Sequence, residues 1–312
     1  MSAAPLQDEP PVIAHTLAGL RERGITSRAA ARQVRAGRWQ SPARGLYVRH
    51  SEELTPYELA VAALTYAGPT AVLTGRLPLQ LAKARWVPAG TTAQLLVPPT
   101  TRVASSGRIE VTRWTHRAST TWVRGLPVAP WPRVVVDAGR ACANLRDVRG
   151  VVLAAVADRR VTVEDLSATL ALGQRNGSAL VRRAVADAAR GCASPPEAEL
   201  VDALVGRGVP FLVNPQLWCD GVLLGSCDVL VVGRALGGEV ESDERHGALE
   251  ARTATYDRHE RFADAGIALA HLSVARVRAD AADSATWFLR RAALAGPLPP
   301  SITVVPRGPV LS

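Results

Sequence analysis

The stretch CDVLVVGRALGGEVE, residues 227–241, predicts a β-hairpin that carries acidic side chains. Two apolar, β-prone runs flank Gly233-Arg234, a pair typical of the turn between antiparallel strands. If the turn is centred on these two residues, counting residue pairs outward from it places Asp228 opposite Glu239. The Cβ atoms of directly opposite residues lie about 4.5–5.5 Å apart. Glu241 shares the face of Glu239, because side chains alternate along a strand.

These carboxylates predict a divalent cation. On an otherwise apolar hairpin they repel one another, and burial penalises each charge. Hard oxygen ligands suit Mg²⁺ or Mn²⁺, which bind through one or two carboxylates and keep water ligands for a phosphate substrate. A metal that activates water, beside an acid or imidazole that moves a proton, is typical of phosphodiester cleavage. We therefore expect Mg²⁺ or Mn²⁺ at Asp228 and Glu239.

The sequence on either side of the hairpin predicts an α/β sandwich. SPPEAELVDALVGRGVP, residues 194–210, begins a helix with a Ser194 cap, and Glu197 near its start suits the helix dipole. Apolar strands follow at PFLVNPQLW and VLLGSCDVLVV, and after the hairpin come a helix through Phe262 and the strand IALAHLSV. Helix, three strands, helix and strand is the order of a mixed sheet covered by helices.

The acids and the histidine that follows them resemble the PD-(D/E)xK nuclease superfamily, with its restriction-endonuclease-like fold, in the very-short-patch-repair-like branch. The resemblance rests on SPPE, an aspartate in a strand and EVESDERH. It implies that Glu197 is the helix acid, Asp228 the central metal ligand and Glu239 the second strand acid. Glu241 stands where the superfamily usually has lysine, and His246 matches the histidine of this branch. The resemblance makes these five residues the candidate catalytic set.

Several alternatives stay open around this motif. Residues 241–243 also fit as the acidic unit, which moves the second ligand by two residues on the same face. Because an acid replaces the lysine, His246 or a second metal would have to stabilise the attacking hydroxide. Arg258 and His259, with Asp257, lie on the helix after the motif, where they would form either a face that reaches phosphate or, as we interpret them, a solvated face. We interpret His271 as a core residue rather than a ligand. A decayed nuclease fold that only holds DNA or a partner is one alternative, and an acidic surface strand without metal is another.

The N-terminal segment predicts a helix with a basic face. ITSRAAARQVRAGRW, residues 25–39, starts at a Thr26 or Ser27 cap and stops at Gly37. Three arginines fall at i, i+4 and i+7 on one face, where guanidinium groups reach phosphates or guanine edges. These arginines are Arg28, Arg32 and Arg35.

A basic hairpin follows this helix and completes the order of a winged helix. RWQSPARGLYV has short β-prone pieces at residues 38–40 and 46–48 around a Ser41-Pro42 turn, with Arg44 near its tip. The run from residue 24 to 48 resembles the N-terminal winged-helix domain of AbiEi-type antitoxins, regulators of type IV toxin–antitoxin systems common in actinobacteria. In that family the domain binds operator DNA, which implies the same for Arg28, Arg32, Arg35 and Arg44.

Four segments are expected: a winged helix at residues 1–50, an α/β middle region at 51–190, a nuclease-like domain at 191–296 and a tail at 297–312. The middle region alternates helices with short strands. Its stretch GLPVAPWPRVVVDAGRA resembles a segment of the same antitoxin-like proteins and carries no evident chemistry. The predicted class is therefore multidomain α/β.

Charge is distributed unevenly along the 312 residues, whose net charge is +9. Residues 1–50 hold eight arginines against three acids, whereas residues 194–280 hold eight arginines against fourteen acids. The basic N-terminal segment suggests a polyanion as its partner, and the acidic C-terminal segment suggests a bound cation. Four scattered cysteines show no zinc-ligand spacing, and no apolar run or signal sequence suggests a membrane, so the cytoplasm is the expected location.

Two functional hypotheses follow. The first is a metal-dependent DNA endonuclease that a winged helix positions on double-stranded DNA. The second is a non-catalytic transcriptional regulator or antitoxin that binds its operator or a cognate toxin and whose nuclease-like domain has lost turnover. Both predict salt-dependent binding to duplex DNA, and only the first predicts a catalytic metal.

Overall fold

The chain divides into two units, Met1–Arg182 and Arg183–Ser312. The computed structural model describes residues 14–115, 119–173, 176–241 and 249–312, with side chains for all of these except 249–255. Both units combine helices with sheets, so the predicted mixed α/β, multidomain class is confirmed. Among the helices of the described ranges, none has the length and apolar character needed to cross a membrane.

The first unit begins with two short helices and a three-stranded sheet of order β1-β3-β2. These elements are β1 (Ala14–Thr16), α1 (Leu17–Glu22), α2 (Ser27–Arg35), β2 (Gln40–Ala43) and β3 (Leu46–Val48). Thr26 caps α2, as one of the two predicted caps, by accepting a backbone N–H at 3.2 Å. Ser41-Pro42, predicted to form a turn, lies instead in β2. A register shift accommodates the missing proline N–H, and the chain turns at Arg44-Gly45, where glycine has a φ of +78°.

The rest of the first unit is a five-stranded sheet of order β6-β5-β4-β8-β7 with helices. Its strands are β4 (Val72–Thr74), β5 (Ala93–Val97), β6 (Ile109–Arg113), β7 (Thr121–Val123) and β8 (Leu126–Val128). Its helices are α3 (Pro56–Ala67), α4 (Arg76–Leu81), α5 (Trp131–Arg140), α6 (Leu145–Ala157) and α7 (Val163–Leu172). In the GLPVAPWPRVVVDAGRA stretch, buried Asp137 accepts hydrogen bonds from Thr74 and Arg133 at 2.9 and 2.6 Å, which joins α5 to β4.

Helix α8 (Ala179–Ala189) contains the junction between the units. The second unit then has helices α9 (Pro195–Leu204), α10 (Leu249–Asp264), α11 (Val274–Ala279) and α12 (Ala281–Leu294). Its strands are β9 (Phe211–Val213), β10 (Gln216–Cys219), β11 (Val222–Ser226), β12 (Val229–Val231), β13 (Leu236–Glu241), β14 (Ala268–Ser273) and β15 (Ile302–Val305). One sheet has the order β14-β13-β12-β9 and is mixed, because β13 and β14 run parallel while the other neighbours are antiparallel.

Five strands, rather than the predicted three, lie between α9 and α10. PFLVNPQLW breaks into β9 and β10 at Asn214, which adopts a φ of +48° that asparagine tolerates better than most residues. VLLGSCDVLVV breaks into β11 and β12 at Cys227-Asp228. The Asn214 N–H donates to the Asp228 carbonyl at 2.9 Å, so a hydrogen bond links the two positions at which the predicted strands are interrupted. The hairpin of β10 and β11 thereby leaves the four-stranded sheet.

Residues 297–312 are not a tail. Within them β15 pairs antiparallel with β10 and completes a second sheet of order β11-β10-β15. Ile302 is buried in the core beside Leu217 and Phe262, and Leu311 exchanges backbone hydrogen bonds with Phe211. The prediction failed because the partner strand lies about eighty residues upstream, beyond any local pattern.

Strand β13 is buried on both faces where it approaches the acidic residues. A Cβ atom built on Gly237 would lie 2.9 Å from the Cys227 Sγ, and one on Gly238 would lie 2.9 Å from the Phe288 ring. These distances leave no room for a methyl group. The two glycines therefore let Cys227 on one face and α12 on the other pack directly against the strand that carries Glu239.

We expect Gly237→Ala to destabilise the second unit by about 1–3 kcal/mol, since the new methyl group overpacks a filled core. Urea unfolding followed by tryptophan fluorescence measures this as a lower midpoint. Gly296→Ala is the matched control, because no atom lies within 4 Å of the position that its new methyl group would take. Equal midpoints for the two variants would contradict the close packing of β13.

Candidate functional site

The predicted hairpin register is confirmed. Val229 pairs with Gly238 and Leu230 pairs with Gly237, which is the register counted outward from the Gly233-Arg234 turn. Asp228 itself lies one residue before β12, at the end of this pairing. The Asp228 Oδ2 atom accepts a hydrogen bond from the Val240 N–H at 2.6 Å, so the aspartate side chain lies against β13.

Glu239 is buried, with a residue exposure of 4%. Its Oε2 accepts a hydrogen bond from the Arg258 guanidinium at 2.7 Å and lies 3.3 Å from the His259 Nε2. Its Oε1 is buried and has no hydrogen-bond partner among the described residues. One oxygen of this carboxylate is therefore paired, while the other lacks the donor or cation that burial demands.

A second histidine reaches the site through the parallel pairing of β13 with β14. In that register Glu239 is opposite His271 and Glu241 is opposite Ser273. The His271 Nδ1 lies 3.1 Å from the Glu241 Oε1, and its ring centroid lies 4.7 Å from that of His259. Strand β14 and helix α10 thus each supply one imidazole to the acidic end of β13.

Glu239, Glu241, His259 and His271 form a group that we call the Glu/His cluster. One ligand atom from each residue lies within 4.8 Å of the ligand atoms of the others. The cluster fits a divalent cation on two grounds: carboxylates and imidazoles are both metal ligands, and the unpaired Glu239 Oε1 lacks a positive partner. Asp228, the predicted central ligand, is not a member of the cluster.

Glu197, predicted as the helix acid of a catalytic set, makes the contacts of a capping residue. Its carboxylate accepts hydrogen bonds from the Ala193 N–H at 2.9 Å, the Ser194 Oγ at 2.8 Å and the Asn214 Nδ2 at 2.9 Å. The Ser194 Oγ in turn accepts from the Glu197 N–H at 3.4 Å, so the cap is reciprocal. Asn214, whose backbone N–H donates to the Asp228 carbonyl, thus links this buried acid to the backbone of Asp228.

His246, together with Ser242 and Asp243 of the alternative acidic unit, lies outside the described residues. Cys227, which neighbours the site, is not a nucleophile candidate. Burial raises the pKa of its thiol, and the carboxylates of Asp228 and Glu239 raise it further. The protonated Sγ donates to the Val229 carbonyl at 3.4 Å.

The predicted DNA-contacting arginines all lie on the surface of the first unit. Arg28, Arg32 and Arg35 project from α2, and Arg44 lies at the tip of the hairpin of β2 and β3; all four are exposed. None of the four guanidinium groups has a hydrogen-bond or ion-pair partner within the part of the chain that the structure describes. Ala30 is buried in α2 and its neighbours Ala31 and Val34 are half-buried, so the exposed face with the three arginines is the part of the helix that can meet a ligand.

Comparison with known proteins gives only a weak structural likeness. Neither a protein-family model nor a curated protein sequence matches the chain. The crystal structure of the RV2827C protein from Mycobacterium tuberculosis covers 61% of this chain and 75% of that chain, with 18% sequence identity and a TM-score of 0.38. A function for this chain must therefore be inferred from its own residues.

Sequence reasoning missed Arg258, His259 and His271. It assigned the first two to solvent and the third to the core, whereas their side chains are 30%, 23% and 40% exposed and meet the acids of β13. The alternation of side chains along β14 was a signal that the sequence did contain. Leu272 and Ala270 are buried, so His271 between them lies on the opposite face of the strand. Recognising its partner also required the parallel register, which the sequence does not display.

Proposed function

We propose that the protein binds double-stranded DNA through the arginines of its N-terminal helix and hairpin and hydrolyses phosphodiester bonds at a divalent metal held in its second unit. The observation that carries the proposal is the buried Glu239 carboxylate, which has one oxygen without a partner and stands beside Glu241 and two imidazoles. Four exposed arginines on one short segment support the DNA-binding half.

The chemistry divides between the metal and the chain. A bound divalent ion supplies Lewis acidity and lowers the pKa of a coordinated water. Glu239 and Glu241 would balance the charge of the ion, and one histidine would complete three protein ligands and leave a position for the water. The second histidine of the cluster would then be placed to hold or move a proton, as general acid–base catalysis requires.

Arg258 can supply the positive charge that a lysine provides in the nuclease superfamily and that Glu241, at the lysine position, does not. It comes from α10 rather than from β13, and its guanidinium donates to Glu239 at 2.7 Å while 30% of the side chain stays exposed. The planar guanidinium has further N–H donors that match two phosphate oxygens. We assign Arg258 to holding the scissile phosphate beside the cluster.

A second candidate function is a non-catalytic regulator or antitoxin that binds its operator DNA or a cognate toxin. The ion pair between Arg258 and Glu239 favours it, because a guanidinium neutralises the buried acid without any metal. The capping contacts of Glu197 favour it as well, since they occupy a carboxylate that the nuclease resemblance assigns to catalysis. Because DNA is the substrate of the first candidate and an expected partner of the second, we propose the cytoplasm as the site of action.

Plasmid nicking tests the proposal directly. Purified protein is incubated with supercoiled plasmid and Mn²⁺, Zn²⁺ or Mg²⁺, beside a chelator control, and DNA binding is measured in parallel by fluorescence anisotropy. We expect metal-dependent conversion to the nicked circle that the chelator abolishes. Binding without nicking under every ion would support the regulator instead, and absence of both would contradict the two candidates together.

A further inference from the structure

We infer that the Glu/His cluster is a mixed imidazole–carboxylate site for a borderline transition-metal ion, with Zn²⁺ bound most tightly, Mn²⁺ less tightly and Mg²⁺ least. This replaces the Mg²⁺-type pair of Asp228 and Glu239 that the sequence predicts. The inference deepens the proposed function and rests on it only for the use of the metal in catalysis. Binding of the ion can be measured without any substrate.

The backbone positions the cluster before any ion arrives. The parallel register of β13 and β14 places Glu239 next to His271, and the alternation of β13 brings Glu241 to the same face. Helix α10 packs over β14 and contributes His259. Ligands that come from a strand, its neighbour and a helix across the sheet are held by core packing, which lowers the cost of assembling a site.

The polar contacts inside the cluster are incomplete. The Glu239 side chain is only 5% exposed, and its Oε1 has no partner among the described residues. Arg258 and His259 both approach the other oxygen, Oε2. A buried carboxylate oxygen left without a donor costs free energy, and a cation bound at the cluster removes that cost.

The spacing of the donor atoms suits a small tetrahedral ion. Two ligands bound to zinc at about 2.0–2.1 Å and at the tetrahedral angle lie about 3.3–3.4 Å apart. The Glu239 Oε2 and His259 Nε2 are 3.3 Å apart, and the Glu241 Oε1 and His271 Nδ1 are 3.1 Å apart. Either pair can therefore exchange its hydrogen bond for two bonds to one metal with little movement. One further donor of the cluster, whose four donor atoms all lie within 4.8 Å of one another, would complete three protein ligands and leave a position for water.

The donor set also selects the class of ion. Imidazole nitrogen suits zinc and other transition metals, whereas Mg²⁺ demands oxygen ligands in a near-ideal octahedron. Divalent ions in mixed nitrogen and oxygen sites follow an affinity order in which Mn²⁺ lies below zinc. Asp228 stays outside the set because its Oδ2 holds the Val240 N–H at 2.6 Å.

Isothermal titration calorimetry of the full-length protein with Zn²⁺, Mn²⁺ and Mg²⁺ tests the inference. We expect one Zn²⁺ per chain, weaker Mn²⁺ and the weakest Mg²⁺. His271→Gln should lower the Zn²⁺ affinity by at least about 100-fold, since the removal of supporting groups alone costs about 10- to 100-fold. His271 is on the surface, so this variant is expected to fold, and circular dichroism verifies that it does.

Two further variants distinguish the ligand sets. Glu260→Gln, an exposed acid next to His259 on α10, is the matched control and should bind Zn²⁺ as the unmodified protein does. Asp228→Asn should also keep its Zn²⁺ affinity within a few-fold, because the amide oxygen can still accept the Val240 N–H. Loss of binding in Asp228→Asn with retention in His271→Gln would overturn the inference, as would Mg²⁺ binding as tight as Zn²⁺.

The outcomes separate this inference from the proposed function. Zn²⁺ binding that depends on His271, together with absence of nicking, would refute hydrolysis while leaving the metal site established. Nicking that persists in His271→Gln would refute the ligand set while leaving phosphodiester hydrolysis established. Absence of binding for every ion would refute the metal site.

Discussion

Glu239→Gln is expected to reduce metal-dependent plasmid nicking by at least about 1,000-fold. The substitution preserves the size of the side chain and one acceptor oxygen but removes the negative charge that balances the metal. It also puts an amide group where Arg258 and His259 approach Oε2 within 2.7 and 3.3 Å. Initial rates of conversion of supercoiled plasmid to nicked circles, at saturating Mn²⁺ and Zn²⁺, measure the effect.

Glu260→Gln is the matched control for this experiment. It removes the same charge from an exposed position on α10, one residue beyond His259, and should leave the nicking rate unchanged within about twofold. Thermal melting of Glu239→Gln separates lost chemistry from lost folding. If a folded Glu239→Gln protein nicks plasmid at the control rate, hydrolysis does not occur at this carboxylate and the proposed active site is wrong.

Replacing Arg28, Arg32 and Arg35 together by glutamine is expected to weaken duplex DNA binding by about 100-fold at about 0.1 M salt. Each guanidinium that contacts a phosphate contributes about 0.9 to the slope of log affinity against log salt concentration, so the slope should fall by about two to three. All three side chains are exposed on α2 and have no partner among the described residues. The fold should therefore tolerate their replacement.

Arg159→Gln is the control for non-specific charge. This exposed arginine follows the end of α6 in the same unit, and its loss should change the affinity by less than about threefold. Fluorescence anisotropy with a labelled duplex at several salt concentrations gives both the affinity and the slope. Unchanged binding in the triple variant would mean that the helix of residues 27–35 does not contact DNA, and the winged-helix assignment would fail.

The local parts of the candidate site could be predicted from the sequence. The hairpin register that pairs Val229 with Gly238 follows from a short turn and from strand alternation, both of which act over neighbouring residues. The helix caps at Thr26, one of the two predicted for α2, and at Ser194 follow in the same way. In each, the side-chain oxygen accepts a backbone N–H from the first turn of its own helix, a few residues further along the chain.

The failures have a common physical cause, which is distance along the chain. Asn214 breaks one apolar run into two strands because its backbone turns to meet Asp228, a contact that no window around Asn214 contains. Strand β15 joins β10 for the same reason. Periodicity predicts that a segment is extended, but packing decides which other segment it joins.

The sequence by itself determined that Asp228 and Glu239 belong to one hairpin and that Glu241 shares the face of Glu239. It also determined that the arginines of α2 form one stripe, namely Arg28, Arg32 and Arg35. Strand alternation and helical spacing are local properties, so neighbouring residues are enough to fix them. Only the tertiary structure decided which groups meet Glu239. His259 lies 20 residues from it along the chain, and His271 lies 30 residues from Glu241. They converge because β14 pairs with β13 in one parallel register and α10 packs on β14 and β11 with its Phe262 buried in the core, and together these bring the imidazoles to the carboxylates.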